Sequence, residues 1–121
     1  MSLAAPPPKE LAGIELLWED RLSRAYDGYP AAADYRVRLA AALVEVAVDL
    51  QALGGPAAGP ADLLAGDLCL ARASRLLADA GDQALQISFA RAVETVSGSA
   101  AAGRPVPEIS GLLRQALEER S

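Results

Sequence analysis

Residues 37–53 read VRLAAALVEVAVDLQAL, and this stretch decides the fold class. Leu39, Leu43, Val46, Leu50 and Leu53 recur at three- and four-residue steps, the stripe of a helix. Val37, Val44, Ala47 and Val48 add a second stripe, which leaves Arg38, Glu45 and Asp49 on a narrow polar strip. So wide an apolar arc predicts a helix covered on most sides by neighbours. Its start is expected at Ala31 or Asp34. Its end is expected at Leu53, where Gly54-Gly55-Pro56 stops the helix and Gly59-Pro60 closes the loop.

Outward from this stretch, four more helical patterns follow. Before it, Leu11, Ile14, Trp18, Leu22 and Ala25 share one face of a helix expected from Glu10 to about Asp27. Asp27-Gly28-Tyr29-Pro30 is the turn that ends it, through glycine's tolerance of positive φ and the extended preference before proline. After it, Ala61–Ala80 reads ADLLAGDLCLARASRLLADA, apolar over much of its circumference. Gly81 is the expected stop and Asp82 the N-cap of a helix over Gln83–Val96, with Leu85, Phe89, Ala92 and Val96 on one face. Ser97 to Pro107 reads as a small, flexible connection. Pro107–Glu119 reads as a last helix, with Ile109, Leu112, Leu113, Ala116 and Leu117 apolar. Residues 1–9, with Pro6, Pro7 and Pro8 in a row, read as an extended leader, and residues 10–121 as a single helical domain. The expected fold is all-α, a compact antiparallel bundle of about five helices.

Composition agrees. Of 121 residues, 52% are hydrophobic and 4% aromatic, with alanine above a fifth and Thr and Ile scarce, which favours helix over strand. The core must therefore be built from Leu, Val and Ala. Histidine is absent, which removes Ser-His and Cys-His nucleophile pairs and imidazole metal sites. Cys69, the single cysteine, removes an intramolecular disulfide and thiolate zinc. Lys+Arg is 11 against Asp+Glu 16, a net charge of -5, so no nucleic-acid footprint is expected. Glu45 and Asp49 interrupt the longest apolar stretch, so no membrane span is expected. No signal-peptide pattern opens the sequence, and the expected location is cytoplasmic.

Some polar residues could carry chemistry. Asp67 stands in the apolar run LLAGDLCLA behind the helix-disfavouring Gly66. A buried charge costs several kcal/mol unless paired, so Gly66 and Asp67 are expected as a structural buried polar element, with Arg36 as partner ahead of Arg72. Glu45 and Asp49, four apart, could hold Mg²⁺ through oxygen ligands, yet they equally form a solvated strip. Asp79 and Asp82 spell DxxD across a helix break, where capping accounts for both. Arg36, Arg38, Arg72 and Arg75 could meet an anion or simply line solvated faces. Cys69, between Leu68 and Leu70, reads as a buried small hydrophobe. Trp18 and Phe89 read as core anchors, or as hot spots of an interface. No catalytic residue, metal ligand set or cofactor is assigned.

The segment Leu63–Gly98 resembles the central helix pair of the trans-polyprenyl diphosphate synthase superfamily. Leu64-Ala65-Gly66-Asp67, Leu70-Ala71 and Ala73 match its LAGD-x-x-L-A-x-A helix, and Gly81-Asp82 its break. Leu43-Val44-Glu45-Val46-Ala47 is similar to an upstream helix of that family, and Gly55-Pro56-Ala57-Ala58 to its following loop. The aspartate-rich motifs that bind Mg²⁺ and diphosphate in the active enzymes are missing. The type most similar is the small non-catalytic subunit of heteromeric hexaprenyl and heptaprenyl diphosphate synthases. The resemblance implies a regulatory or stabilising subunit in isoprenoid biosynthesis, partnered by a large catalytic subunit that alone brings Mg²⁺. In those synthases the corresponding helix pair forms the subunit interface. A homodimer is therefore expected when the chain is alone, with Leu63, Leu70, Leu77, Leu85, Phe89 and Val96 as interface candidates. Two other readings remain open: a self-contained homodimeric interaction protein, and a degenerate binder of a prenyl chain or diphosphate.

Overall fold

The computed structural model describes residues 6–31, 33–51 and 58–120. Leu53, Gly54, Gly55, Pro56 and Ala57, expected to end one helix and form the loop, lie outside the described residues, as do residues 1–5. Helix accounts for 78% and no strand occurs among the described residues, so the chain is an all-α bundle.

The long apolar stretch forms the central helix. Glu15–Leu17, Trp18–Leu22 and Ser23–Asp27 run on as one helix, α1, and the central helix α2 spans Tyr35–Leu50. α3 spans Pro60–Asp79, α4 Gln83–Ala101 and α5 Ile109–Arg120. Every residue from Val37 to Val44 is buried, as are Val46, Ala47, Val48 and Leu50. Ala40, Ala41 and Ala42, each with 0% exposure, let the surrounding backbones approach closely. α3 makes the most extensive contact with α2, and α1, α4 and α5 also touch it.

The polar strip expected on α2 is only partly wet. Asp49 is exposed and Glu45 half-buried, but Arg38 is 5% exposed. Its Nε donates to the Tyr26 carbonyl at 2.9 Å, and its guanidinium carbon lies 4.1 Å from the centre of the Tyr26 ring. Asp27 stands at 3.8 Å from Nη2, across the boundary to solvent. The end of α1 thus supplies a carbonyl, a ring face and a carboxylate, which together hold the cation inside.

α1 contains a turn of π-helix, in which the Ser23 N–H reaches the Trp18 carbonyl five residues back. The additional residue brings Trp18 and Tyr26 toward one face, and their rings meet edge to face at 5.4 Å. A helix from Glu10 was expected; instead Pro8–Leu11 is a 3₁₀ turn and Gly13, at φ 85, separates it from α1. This segment is docked: Pro6 and Glu10 are buried, Tyr35 donates to the Glu10 carboxylate at 3.3 Å, and Arg72 donates to the Glu10 and Ala12 carbonyls at 3.2 and 2.6 Å.

The break between α3 and α4 follows the sequence. Gly81 has φ 70, Asp82 N–H returns to the Leu77 carbonyl at 2.9 Å, and the Asp82 carboxylate accepts from the Leu85 N–H at 3.1 Å. α4 runs five residues past the expected Val96, because Ser97, Gly98 and Ser99 weaken a helix without breaking it. Gly103, at φ 69, stops α4 in the way Gly81 stops α3, with Arg104 N–H bonded to the Ser99 carbonyl at 2.9 Å. Gly28, expected to use positive φ, adopts φ -76; a side chain there would meet Arg114 at 3.1 Å and the Ala25 carbonyl at 3.2 Å.

Because α2 is enclosed, truncating its middle should be costly. Leu43→Ala, at a position with 0% exposure, is expected to destabilise by about 2–5 kcal/mol, read as a lowered urea midpoint with unchanged slope.

Candidate docking groove

α3 turns back into α4 within the few residues around Gly81, yet packs against it only sparingly, because most of its apolar arc is already laid on α2. The two helices leave a half-open groove of about 280 Å³ between them. Val44 of α2 is its floor, Leu70, Ala73 and Leu77 form one wall, and Phe89, Ala90 and Val93 form the other. Toward the turn, Gln86 Nε2 donates to the Ser74 carbonyl at 3.1 Å and to its hydroxyl at 3.3 Å, tying the walls together. Among the described residues, no charged side chain lines the groove. Such a surface is suited to burying apolar side chains of another molecule.

The candidate interface residues divide. Leu70, Leu77 and Phe89 meet in the groove, the first half-buried and the others nearly enclosed as walls. Leu63, seven residues before Leu70, is 44% exposed on the same side of α3. Leu85 and Val96, each 1% exposed, are core residues, which corrects their naming as interface candidates. Val44 was read only as part of the second stripe of α2, and Ala90 and Val93 were not singled out in sequence, although the i, i+4 spacing of Phe89 and Val93 marks a shared face.

Gly66 is buried as expected, but Asp67 is exposed, correcting its assignment as a buried group. Its Oδ1 accepts from Gln51 Nε2 at 2.8 Å. A side chain at Gly66 would meet the Gln51 side chain at 2.6 Å, so the missing Cβ admits that amide between α2 and α3. Arg36, the expected partner, instead pairs with Asp34 at 2.9 Å and donates to the Asp79 carbonyl at 3.0 Å. Several other singled-out groups are also engaged. Tyr29 donates its hydroxyl to Glu45 at 2.7 Å, Arg75 faces Glu10 at 3.7 Å, and Asp82 caps α4. Burial first, then the hydrogen bond to Glu45 and its charge, hold the Tyr29 hydroxyl well above the usual range. Arg114, 5.3 Å from that ring, opposes the rise and donates to the Gly28 carbonyl at 3.1 Å, fastening α5 to the end of α1.

Comparison with protein families, with curated proteins and with solved structures finds no match to this chain.

Cys69 supplies a check on the wall behind the groove. It is fully buried, and burial pushes its thiol from 9.0 up to about 11, against a smaller opposing effect of Arg72. Between these values the unfolded chain has released the proton that the folded chain keeps, so stability must fall as pH rises from 9.0 to about 11. Denaturant midpoints over that window are expected to decline less steeply for Cys69→Ala than for wild type, whatever their difference at neutral pH.

Proposed function

We propose that this chain is a non-catalytic helical subunit that acts by association, docking through the groove between α3 and α4, and that alone it forms a homodimer there. The observation that carries the reading is the apolar, uncharged lining from Leu70 to Val93 over Val44. A two-fold contact lays the same surface on itself, and with net charge -5 most of this protein's surface would meet repulsion on doing so. The groove carries no such penalty. Small side chains at Ala73 and Ala90 allow a partner helix to approach the walls.

The narrower form of the reading takes the heteromeric partner to be the large catalytic subunit of a trans-polyprenyl diphosphate synthase. Its support is the Leu63–Gly98 resemblance, which falls on α3, the Gly81-Asp82 break and most of α4. A cytoplasmic setting belongs to this reading, supported by a lone cysteine kept as a buried thiol.

Light scattering tests the association. Wild type is expected at twice the chain mass at micromolar concentration. Ala90→Arg, at an exposed position on the groove wall, should return it to one chain mass with its helical circular dichroism unchanged. Leu85→Asp should instead unfold the bundle, since that side chain is in the core. A wild-type monomer, or a dimer indifferent to Ala90→Arg, contradicts the proposal. For the narrower form, the isolated chain supplied with Mg²⁺, an allylic primer and isopentenyl diphosphate is expected to make no elongated product; elongation by the pure chain would overturn it.

A further inference from the structure

We infer that residues 6–13 form a strap closed over a carboxylate-binding seat, in which the chain's own Glu10 takes the place of an external carboxylate. The seat is built from two helices. Arg72 and Arg75, one turn apart, share a flank of α3, and Tyr35 stands at the start of α2. Glu10, 9% exposed, bridges them: one carboxylate oxygen accepts from the Tyr35 hydroxyl at 3.3 Å, and the other faces Arg75 Nη2 at 3.7 Å. Arg72 holds the adjoining backbone, at the carbonyls of Glu10 and Ala12. Two guanidinium groups and a phenol hydroxyl are a donor set suited to a carboxylate.

Glu10 fills this seat poorly. Charge-assisted bonds to a carboxylate run at about 2.7–2.9 Å, and both contacts of Glu10 are longer. A nearly enclosed carboxylate is thus left with part of its desolvation cost unmet. Arg72 meanwhile donates to neutral carbonyls. The carboxylates nearby are directed elsewhere: Asp34 pairs with Arg36 at 2.9 Å, and the charge of Asp79 acts on the same arginine.

The tether accounts for the poor fit. Glu10 belongs to a four-residue 3₁₀ turn, and Gly13 at φ 85 sets the entry to α1, so the backbone fixes how far the carboxylate reaches. An untethered carboxylate is free to approach Tyr35, Arg72 and Arg75 more closely, which is the difference in affinity that displaces the strap. Little else retains it. No helix packs extensively on the turn, and its apolar attachments are the buried Pro6 and the half-buried Leu11. An element with few buried apolar contacts opens ahead of the fold as a whole.

Lys9, exposed on the strap, is the only lysine of the chain, so a lysine-specific protease reads opening at a single bond. Native protein should be cut after Lys9, at a rate far less sensitive to urea than global unfolding. Succinate or a tetraglutamate peptide should speed the cut beyond sodium chloride of equal ionic strength. Action by succinate assigns the seat to a small carboxylic acid, and action by the peptide alone to an acidic segment of a partner. The double variant Arg72→Ala, Arg75→Ala should be cut at least about fivefold faster than wild type, and neither carboxylate should change its rate. If that variant loses its helical circular dichroism, Tyr35→Phe takes its place with the same two expectations. Glu10→Ser empties the seat, and there the effective carboxylate should raise the melting temperature more than in wild type. Cutting that tracks global unfolding overturns the inference. So do rates that neither carboxylate changes beyond chloride, or a variant that responds to them as wild type does.

Discussion

The structure depends on the burial of α2. A helix that is apolar nearly all round cannot rest on a surface, because leaving either of its stripes in water would forfeit about 25 cal/mol for each Å² of apolar area. The other four helices are therefore arranged as its cover. α3 lies along it most closely, aided by Gly66 and by the three alanines Ala40, Ala41 and Ala42. α1 covers the side that carries Arg38, and its own irregularity answers that need: the π turn brings Trp18 and Tyr26 together, and the Tyr26 ring and carbonyl receive the guanidinium. A cation in the central helix is thus held by groups from α1.

The groove follows from the same constraint. α3 directs Cys69, Ala73, Leu76 and Leu77 inward, and α4 directs Leu85, Phe89, Ala92 and Val96 inward. Each helix is committed to the core before it meets its neighbour across the Gly81 turn, so the flanks between them stay apart over Val44. On the far side of α3 the cover is completed by the docked 3₁₀ turn and the start of α1, which reach Arg72 but leave Leu64 and Leu68 bare. A single helix thus presents two apolar flanks, one opening on the groove over Val44 and the other beside the start of α1.

Helical periodicity made the five helices legible, and the stop at Gly81-Asp82 was readable from residue type alone. The end of α4 was not, because serines and a glycine lower helix propensity only slightly, and the effective stop lies at Gly103. The phase of α3 was also hidden. Leucines at 63, 64, 68, 70, 76 and 77 surround that helix, so periodicity could not say which arc meets α2, and Asp67 was placed inside when it lies outside. Periodicity likewise left open whether Leu70 or Leu85 points outward; Leu70 is half-buried beside the groove, and Leu85 is in the core with Val96. Arg38 read as solvated because the groups that bury it come from Tyr26 and Asp27, on another helix. The π turn left no mark in the residue pattern.

Amide hydrogen exchange recorded over a series of protein concentrations tests the central claim most directly. At low concentration α2 should exchange slowest, at the rate of global unfolding. As concentration rises, added protection is expected within Leu70–Leu77 and Gln86–Val93, the two walls of the groove, and little elsewhere. Protection gained on α1 and α5 with none on these walls, or no gain up to millimolar protein, would contradict the account.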